Sequence, residues 1–189
     1  MSADVHVLVI TGTMGSGKTT LLGEASDLLK ARRIAHAAVD FDALGICHVP
    51  DPAWTDLAYR NLASVWQNYA AAGVARLLLA EALENAVELN RIRDAVPGAQ
   101  IVVCRLTAPL ETMRQRVLQR EPGMLRDTFV ARVAELEGLI DRAGLQDFAL
   151  ANDDHCSITD VAVEMLRLAN WIDGAHTATM RNKHYGVEG

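Results

Sequence analysis

The β-branched run Val5-His6-Val7-Leu8-Val9-Ile10 leads through Thr11 into Gly12-Thr13-Met14-Gly15-Ser16-Gly17-Lys18-Thr19. The run is too short for a helix and reads as a strand buried on both faces. From Thr19 onward Leu21, Leu22, Ala25, Leu28 and Leu29 take helical spacing, which stops at the basic Lys30, Arg32 and Arg33. Between them lies a strand-to-helix turn that satisfies the pattern G-x-x-x-x-G-K-[ST] in full. Backbone N–H groups and the positive end of a helix converge on such a turn, and glycines let the main chain approach an anion without Cβ contacts. Lys18 can neutralise the outer phosphates of a nucleoside triphosphate, and Thr19 can offer its hydroxyl to Mg²⁺. Gly12, Met14, Gly15, Ser16, Gly17, Lys18, Thr19 and Thr20 are the expected nucleotide-holding residues.

Beyond this turn, strands and helices alternate. Ile34–Val39, Val74–Ala80, Ile101–Leu106 and Phe148–Leu150 read as further strands. Helices are expected from about Thr55 to Ala72 with Gly73 as the stop, from Glu84 to Ala95, from Pro109 to the break at Pro122-Gly123, and from Leu125 to Arg142. Ser157 with Asp160 three residues on resembles a capping box that opens a last helix reaching about Trp171. Such alternation implies right-handed crossovers and a parallel sheet covered on both sides. In a chain of 189 residues the reading is one domain over 1–172 and an irregular tail over 173–189.

Charge and cysteine usage narrow the partners. Eighteen basic against 24 acidic residues give a net charge of −6, which disfavours nucleic acid as the leading partner. Cys47, Cys104 and Cys156 do not form a disulfide pattern, and a reducing cytoplasm fits them best. No segment approaches the roughly 18 apolar residues of a membrane span, and the first residues do not read as an export signal. Cys47-His48 and His155-Cys156 lack the usual spacing of zinc ligands and read as thiols and loop histidines.

On the Gly12–Thr19 motif and its context, the chain resembles the small P-loop kinases, among them shikimate and gluconate kinases, adenylyl-sulfate kinase and chloramphenicol phosphotransferase. The resemblance covers most of residues 4–172. It implies an α/β fold, a P-loop NTPase three-layer sandwich with a five-stranded parallel sheet like that of nucleoside-monophosphate kinases. It further implies ATP and Mg²⁺ as cofactors and a small hydroxylated molecule as acceptor, and it is compatible with a homo-oligomer. In those enzymes an acidic residue at the end of the second strand faces the acceptor hydroxyl, and Asp40-Phe41-Asp42 occupies that place.

Phosphoryl transfer gives an independent reason to single out this pair. It needs a hydroxyl held in line with the γ-phosphate and a carboxylate to take its proton. Carboxylates at i and i+2 on an extended strand point to the same side, so Asp40 and Asp42 are expected to address one cleft. One would be base or acceptor anchor and the other would lie near Mg²⁺, in either order; Asp42 as a helix cap in a solvated turn is the plainer alternative. Asp42-Ala43-Leu44-Gly45 also fits the D-x-x-G of GTP-binding switches, but no N-K-x-D accompanies it. Glu81, after Leu77–Ala80, either helps to hold Mg²⁺ or order the acceptor, or favours a helix start through the dipole.

Arg116 and Arg120, four apart on one helix face, precede Glu121-Pro122-Gly123. The resemblance makes 116–128 a lid whose arginines close over the phosphates, with Arg126 as a third candidate; a solvated face paired with neighbouring carboxylates is the alternative. Asn152-Asp153-Asp154 marks the loop that meets adenine in that family, or a plain turn. The acceptor region is expected over 43–72. Trp54, Asp56 and Arg60 are its candidate contacts, while Trp66 and Tyr69 share helical spacing with Leu62 and Val65 and are expected in the core. A nucleotide-binding regulator with no small-molecule acceptor is the rival reading.

Overall fold

The computed structural model describes residues 4–47, 54–153 and 156–173, with only the main chain of residues 54 and 55. The readings at His48, Asp154 and His155, the Trp54 side chain and the tail after residue 173 lie outside the described residues. Five strands form one parallel sheet: β1 (His6–Thr11), β2 (Ala37–Asp40), β3 (Arg76–Ala80), β4 (Gln100–Thr107) and β5 (Phe148–Ala151), in the order β2-β3-β1-β4-β5. Strand β1 is central because it can be. Val7, Leu8, Val9 and Ile10 carry no polar side chain and are at most 1% exposed.

The period-two alternation of a strand divides the core into two faces. Val7 and Val9 join Leu77, Leu79 and Val103 beneath α2 (Trp54–Ala71) and α3 (Ala86–Ala95), which contribute Ala58, Leu62, Trp66, Leu89 and Ile92. Leu8 and Ile10 join Leu78, Cys104 and Leu106 beneath α1 (Lys18–Ala31) and α6 (Ile158–Leu168), which contribute Leu21, Ala25, Leu29, Ala162 and Met165. Two further helices, α4 (Leu110–Arg120) and α5 (Arg126–Ala143), enclose a smaller cluster of Met113, Val117 and Val133, with Met14 of the glycine turn packed against it. Three layers result, helices on both faces of a parallel sheet.

Several boundaries differ from the sequence reading, each for a local reason. Strand β2 begins at Ala37 rather than Ile34, because Arg33 takes a left-handed φ of 56° and Ile34 N bonds back to Leu29 O at 3.0 Å, closing α1. Val74 closes α2 in the same way through Tyr69 O at 3.1 Å, so β3 starts at Arg76. Helix α3 starts at Ala86 rather than Glu84, since the Asn85 side chain accepts from the Val87 and Glu88 N–H groups. Ser157 caps α6, its Oγ accepting from Asp160 N at 3.1 Å, but Asp160 Oδ2 accepts from the Ser157 hydroxyl at 2.7 Å in place of the reciprocal main-chain bond of a full capping box. Trp66 is buried as expected, whereas Tyr69 lies at the outer end of α2 and is 37% exposed. No helix among the described residues is long and apolar enough to cross a membrane.

Candidate active site

Because all five strands run the same way, the residues that follow them line one edge: Gly12 after β1, Asp40 closing β2, Glu81 after β3, Ala108 after β4 and Asn152 after β5. This is where open parallel sheets bind ligands. Two hydrogen bonds carry the ladders past the strand ends, Glu81 N to Ile10 O at 3.1 Å and Asn152 N to Thr107 O at 2.7 Å.

The glycine turn is set against its surroundings by close packing. Gly15 has a φ of 81°, and a Cβ there would meet the main chain of Met113 in α4, so only glycine allows this contact. Thr13 is fully buried and its hydroxyl donates to Val133 O of α5 at 3.3 Å. Ser16 is also fully buried, and its Oγ has no hydrogen-bond partner. The Lys18 ammonium folds back over the turn, donating to Gly12 O at 2.9 Å and Thr13 O at 3.4 Å. Burial holds its pKa below the ordinary lysine value, and nearby Asp42, Glu81 and Asp40 oppose that shift.

Asp40 and Asp42 address the same region, though not by strand alternation. Asp40 ends β2, while Asp42 lies in a 3₁₀ turn over Phe41–Leu44, for which Asp40 is the cap: its Oδ1 accepts from Asp42 N at 3.3 Å. The extended-strand geometry expected for the pair is thus corrected, because capping turns the chain directly after Asp40. The other Asp40 oxygen accepts from the Thr19 hydroxyl at 2.7 Å. Asp42-Ala43-Leu44-Gly45 belongs to this turn.

Among the described residues, two cavities flank the turn. One of about 60 Å³ is lined by Met14, Lys18, Thr19, Thr20, Asp42 and Arg120 over Gly15 and Gly17. The other, of about 310 Å³, lies between the turn and α4 and is lined by Gly15, Gly17, Thr20, Arg116, Val117, Gln119 and Arg120. Arg120 borders both and pairs with Glu121 at 3.0 Å. Arg116 is turned inward, donating to Gly15 O and Asn152 O at 3.3 Å. Arg126 pairs with Asp127 at 3.1 Å and lines neither cavity.

Glu81 does not start a helix, since α3 begins five residues later, and the dipole alternative for it falls away. Burial pushes its carboxyl up to about 9, reinforced by Asp42 and Glu88 and opposed by Lys18. Asp56 and Arg60 do not reach either cavity. They line a separate groove of about 210 Å³ between α2 and α3, and Asp56 pairs there with Arg91 at 3.0 Å. Helical geometry explains this, because Ala58, Tyr59 and Leu62 occupy the face of α2 that meets the sheet. Tyr59, one of the aromatic residues of the expected acceptor region, packs against Phe41 with the rings tilted at 47° and their centroids 4.6 Å apart, linking α2 to the Asp40–Asp42 turn.

Magnesium suits the oxygen donors at this edge. Thr19 and Asp40 offer a hydroxyl and a carboxylate in contact, and Mg²⁺ takes few protein ligands beside phosphate oxygens and water. Among the described residues no group of three or more His, Cys, Asp or Glu side chains forms a dedicated metal cage. Cys47 and Cys156 are exposed and only Cys104 is buried.

No protein-family model matches the chain, and no curated protein matches it in sequence. Solved structures do. The APS kinase of Mycobacterium tuberculosis in complex with AMPPNP and APS superposes with a TM-score of 0.63 at 21% identity, covering 88% of this chain and 98% of that one. Shikimate kinase from Acinetobacter baumannii in complex with shikimate gives 0.53 at 17% identity, over 88% and 94% of the two chains. A gluconokinase from Sinorhizobium meliloti 1021 gives 0.55 at 17% identity, over 87% and 94%. The chain has the fold of the small P-loop kinases.

Proposed function

We propose that this protein is an ATP- and Mg²⁺-dependent phosphotransferase that moves the γ-phosphoryl group to a hydroxyl of a small molecule. The supporting observation is the convergence of Lys18, Thr19, Asp42 and Arg120 on one small cavity, with Asp40 in contact with Thr19. The structural neighbours, named as kinases of APS, shikimate and gluconate, agree with that reading.

In this reading the glycine turn and Lys18 hold the phosphates, and Arg120 balances charge on the transferring group. Thr19 and Asp40 would hold Mg²⁺, which supplies charge neutralisation to the phosphates. Asp42, with Asp40, orients the acceptor hydroxyl and takes its proton as the new oxygen–phosphorus bond forms and the bond to ADP breaks. Arg116 lines the larger cavity from α4 and, held on Gly15 O and Asn152 O, adds positive charge beside a nucleotide bound there.

The test is incubation of the protein with Mg²⁺·ATP and a panel of hydroxylated metabolites and antibiotics, with mass spectrometry for a product heavier by one phosphoryl group. Such a product is expected. Asp40→Asn or Asp42→Asn should lower transfer by about 100-fold or more, where the altered residue is the base, while ATP binding persists. Normal transfer by both variants would remove the carboxylates from the mechanism. Tight nucleotide binding with no product, but with a nucleotide-dependent change of shape, would instead favour a regulator.

A further inference from the structure

Two consecutive carbonyl groups of the glycine turn are held from behind. Gly15 O accepts from Arg116 Nη1 at 3.3 Å, and Ser16 O accepts from Asn152 Nδ2 at 2.7 Å. Asn152 O in turn accepts from both terminal nitrogens of Arg116 at 3.3 Å, and Asn152 N is fixed on Thr107 O. Asn152 is only 9% exposed. A carbonyl oxygen can be met only by a donor, so the amide NH₂ is the part of Asn152 that the site requires.

The geometry of the peptide unit carries the consequence. In a trans peptide the C=O and the following N–H point to opposite sides. With Ser16 O drawn toward Asn152, the Gly17 N–H is turned away from it, and this N–H makes no hydrogen bond among the described residues. Gly17 lines both cavities of the candidate site. It has a φ of 102°, and a Cβ there would meet Asn152 Nδ2, so the glycine and the asparagine fit each other.

We infer that Asn152 is a positioning residue for phosphate binding: its amide fixes the Ser16–Gly17 peptide so that the Gly17 N–H faces the bound phosphates, with Arg116 bracing the arrangement. This rests on the reading of the turn as a nucleoside triphosphate site. Asn152 acts through the peptide and not through the nucleobase, which makes its effect separable from that of an adenine contact.

The experiment uses calorimetric titration of the whole protein with Mg²⁺·ATP and with Mg²⁺·tripolyphosphate, a probe that has no base. The unaltered protein should bind both; binding of neither would remove the nucleotide reading itself, and this inference with it. Asn152→Ala should then weaken both ligands in parallel by about 10-fold, and Asn152→Asp by more, because an oxygen would face the Ser16 carbonyl. Circular dichroism melting identifies variants that are folded. Weaker ATP binding with unchanged tripolyphosphate binding would make Asn152 a base contact and overturn the proposal, as would unchanged binding of both. Hydrogen exchange on the unaltered protein gives a readout free of variants: the Gly17 amide should become protected when tripolyphosphate binds. Exchange that stays as fast as in the free protein would overturn the proposal as well.

Discussion

Glu81 is an acid held where its charge is unwelcome. Its carboxyl ordinarily titrates at 4.5, and burial beside Asp42 and Glu88 moves it to about 9 in the folded protein. Between these values the folded chain keeps a proton that the unfolded chain has released, so this group's contribution to stability is full below 4.5 and declines as the pH rises toward 9. Glu81→Gln removes that decline. Urea unfolding of both proteins at pH 5, 7 and 9 should show the variant gaining on the parent at each step; a constant gap would mean that Glu81 carries no such shift. The residue was visible in the sequence as a carboxylate at a strand end, but its environment was not, because it depends on Asp42 and Glu88 arriving from elsewhere in the chain. Asn152 shows the same limit. A polar loop residue looks the same in sequence whether its amide is solvated or fixed on a carbonyl 136 positions away.

At the scale of elements, local signals located strands and helices better than they located ends. The glycine turn and the Ser157 cap of α6 were legible because their determinants lie within a few residues of each other. The starts of β2 and β3 were not, since Ile34 and Val74 are apolar and serve helix C-termini instead. A charged residue inside the apolar run of β4 was an unused signal. Arg105, 7% exposed, reaches across to α5 and pairs with Glu137 at 2.6 Å and Asp141 at 2.8 Å, while its Nε and Glu137 Oε2 have no partner. The pair fixes the helix whose Val133 carbonyl receives Thr13 of the turn. Arg105→Met should cost about 1–3 kcal/mol in urea unfolding, because Glu137 then loses its charged partner. Adding Glu137→Leu should return part of that loss; strictly additive costs would show that the two side chains are not coupled.

The whole molecule joins the parts that border the glycine turn through contacts on three of its sides: Met113 of α4, Val133 of α5 and Asn152 after β5. The sheet order was implied only as a class, since alternation predicts a parallel sheet but no pairing. The expected acceptor contacts were least legible, because α2 presents Asp56 and Arg60 to an outer groove while Tyr59 and Asn61 meet the turn after Asp40. A ligand that binds these joined parts in the folded state alone stabilises all of them together. At about 100 times its dissociation constant it contributes about 2.7 kcal/mol, which for a chain of this size raises the melting temperature by about 5–10 °C. Mg²⁺·ATP should give such a shift with the unaltered protein and with Asp42→Asn, where the phosphate-holding groups remain. Lys18→Ala should lose most of it. A calorimetric scan with no shift in the unaltered protein at saturating nucleotide would remove ATP from the proposed reaction. A full shift in Lys18→Ala would place the nucleotide's phosphates somewhere other than the turn.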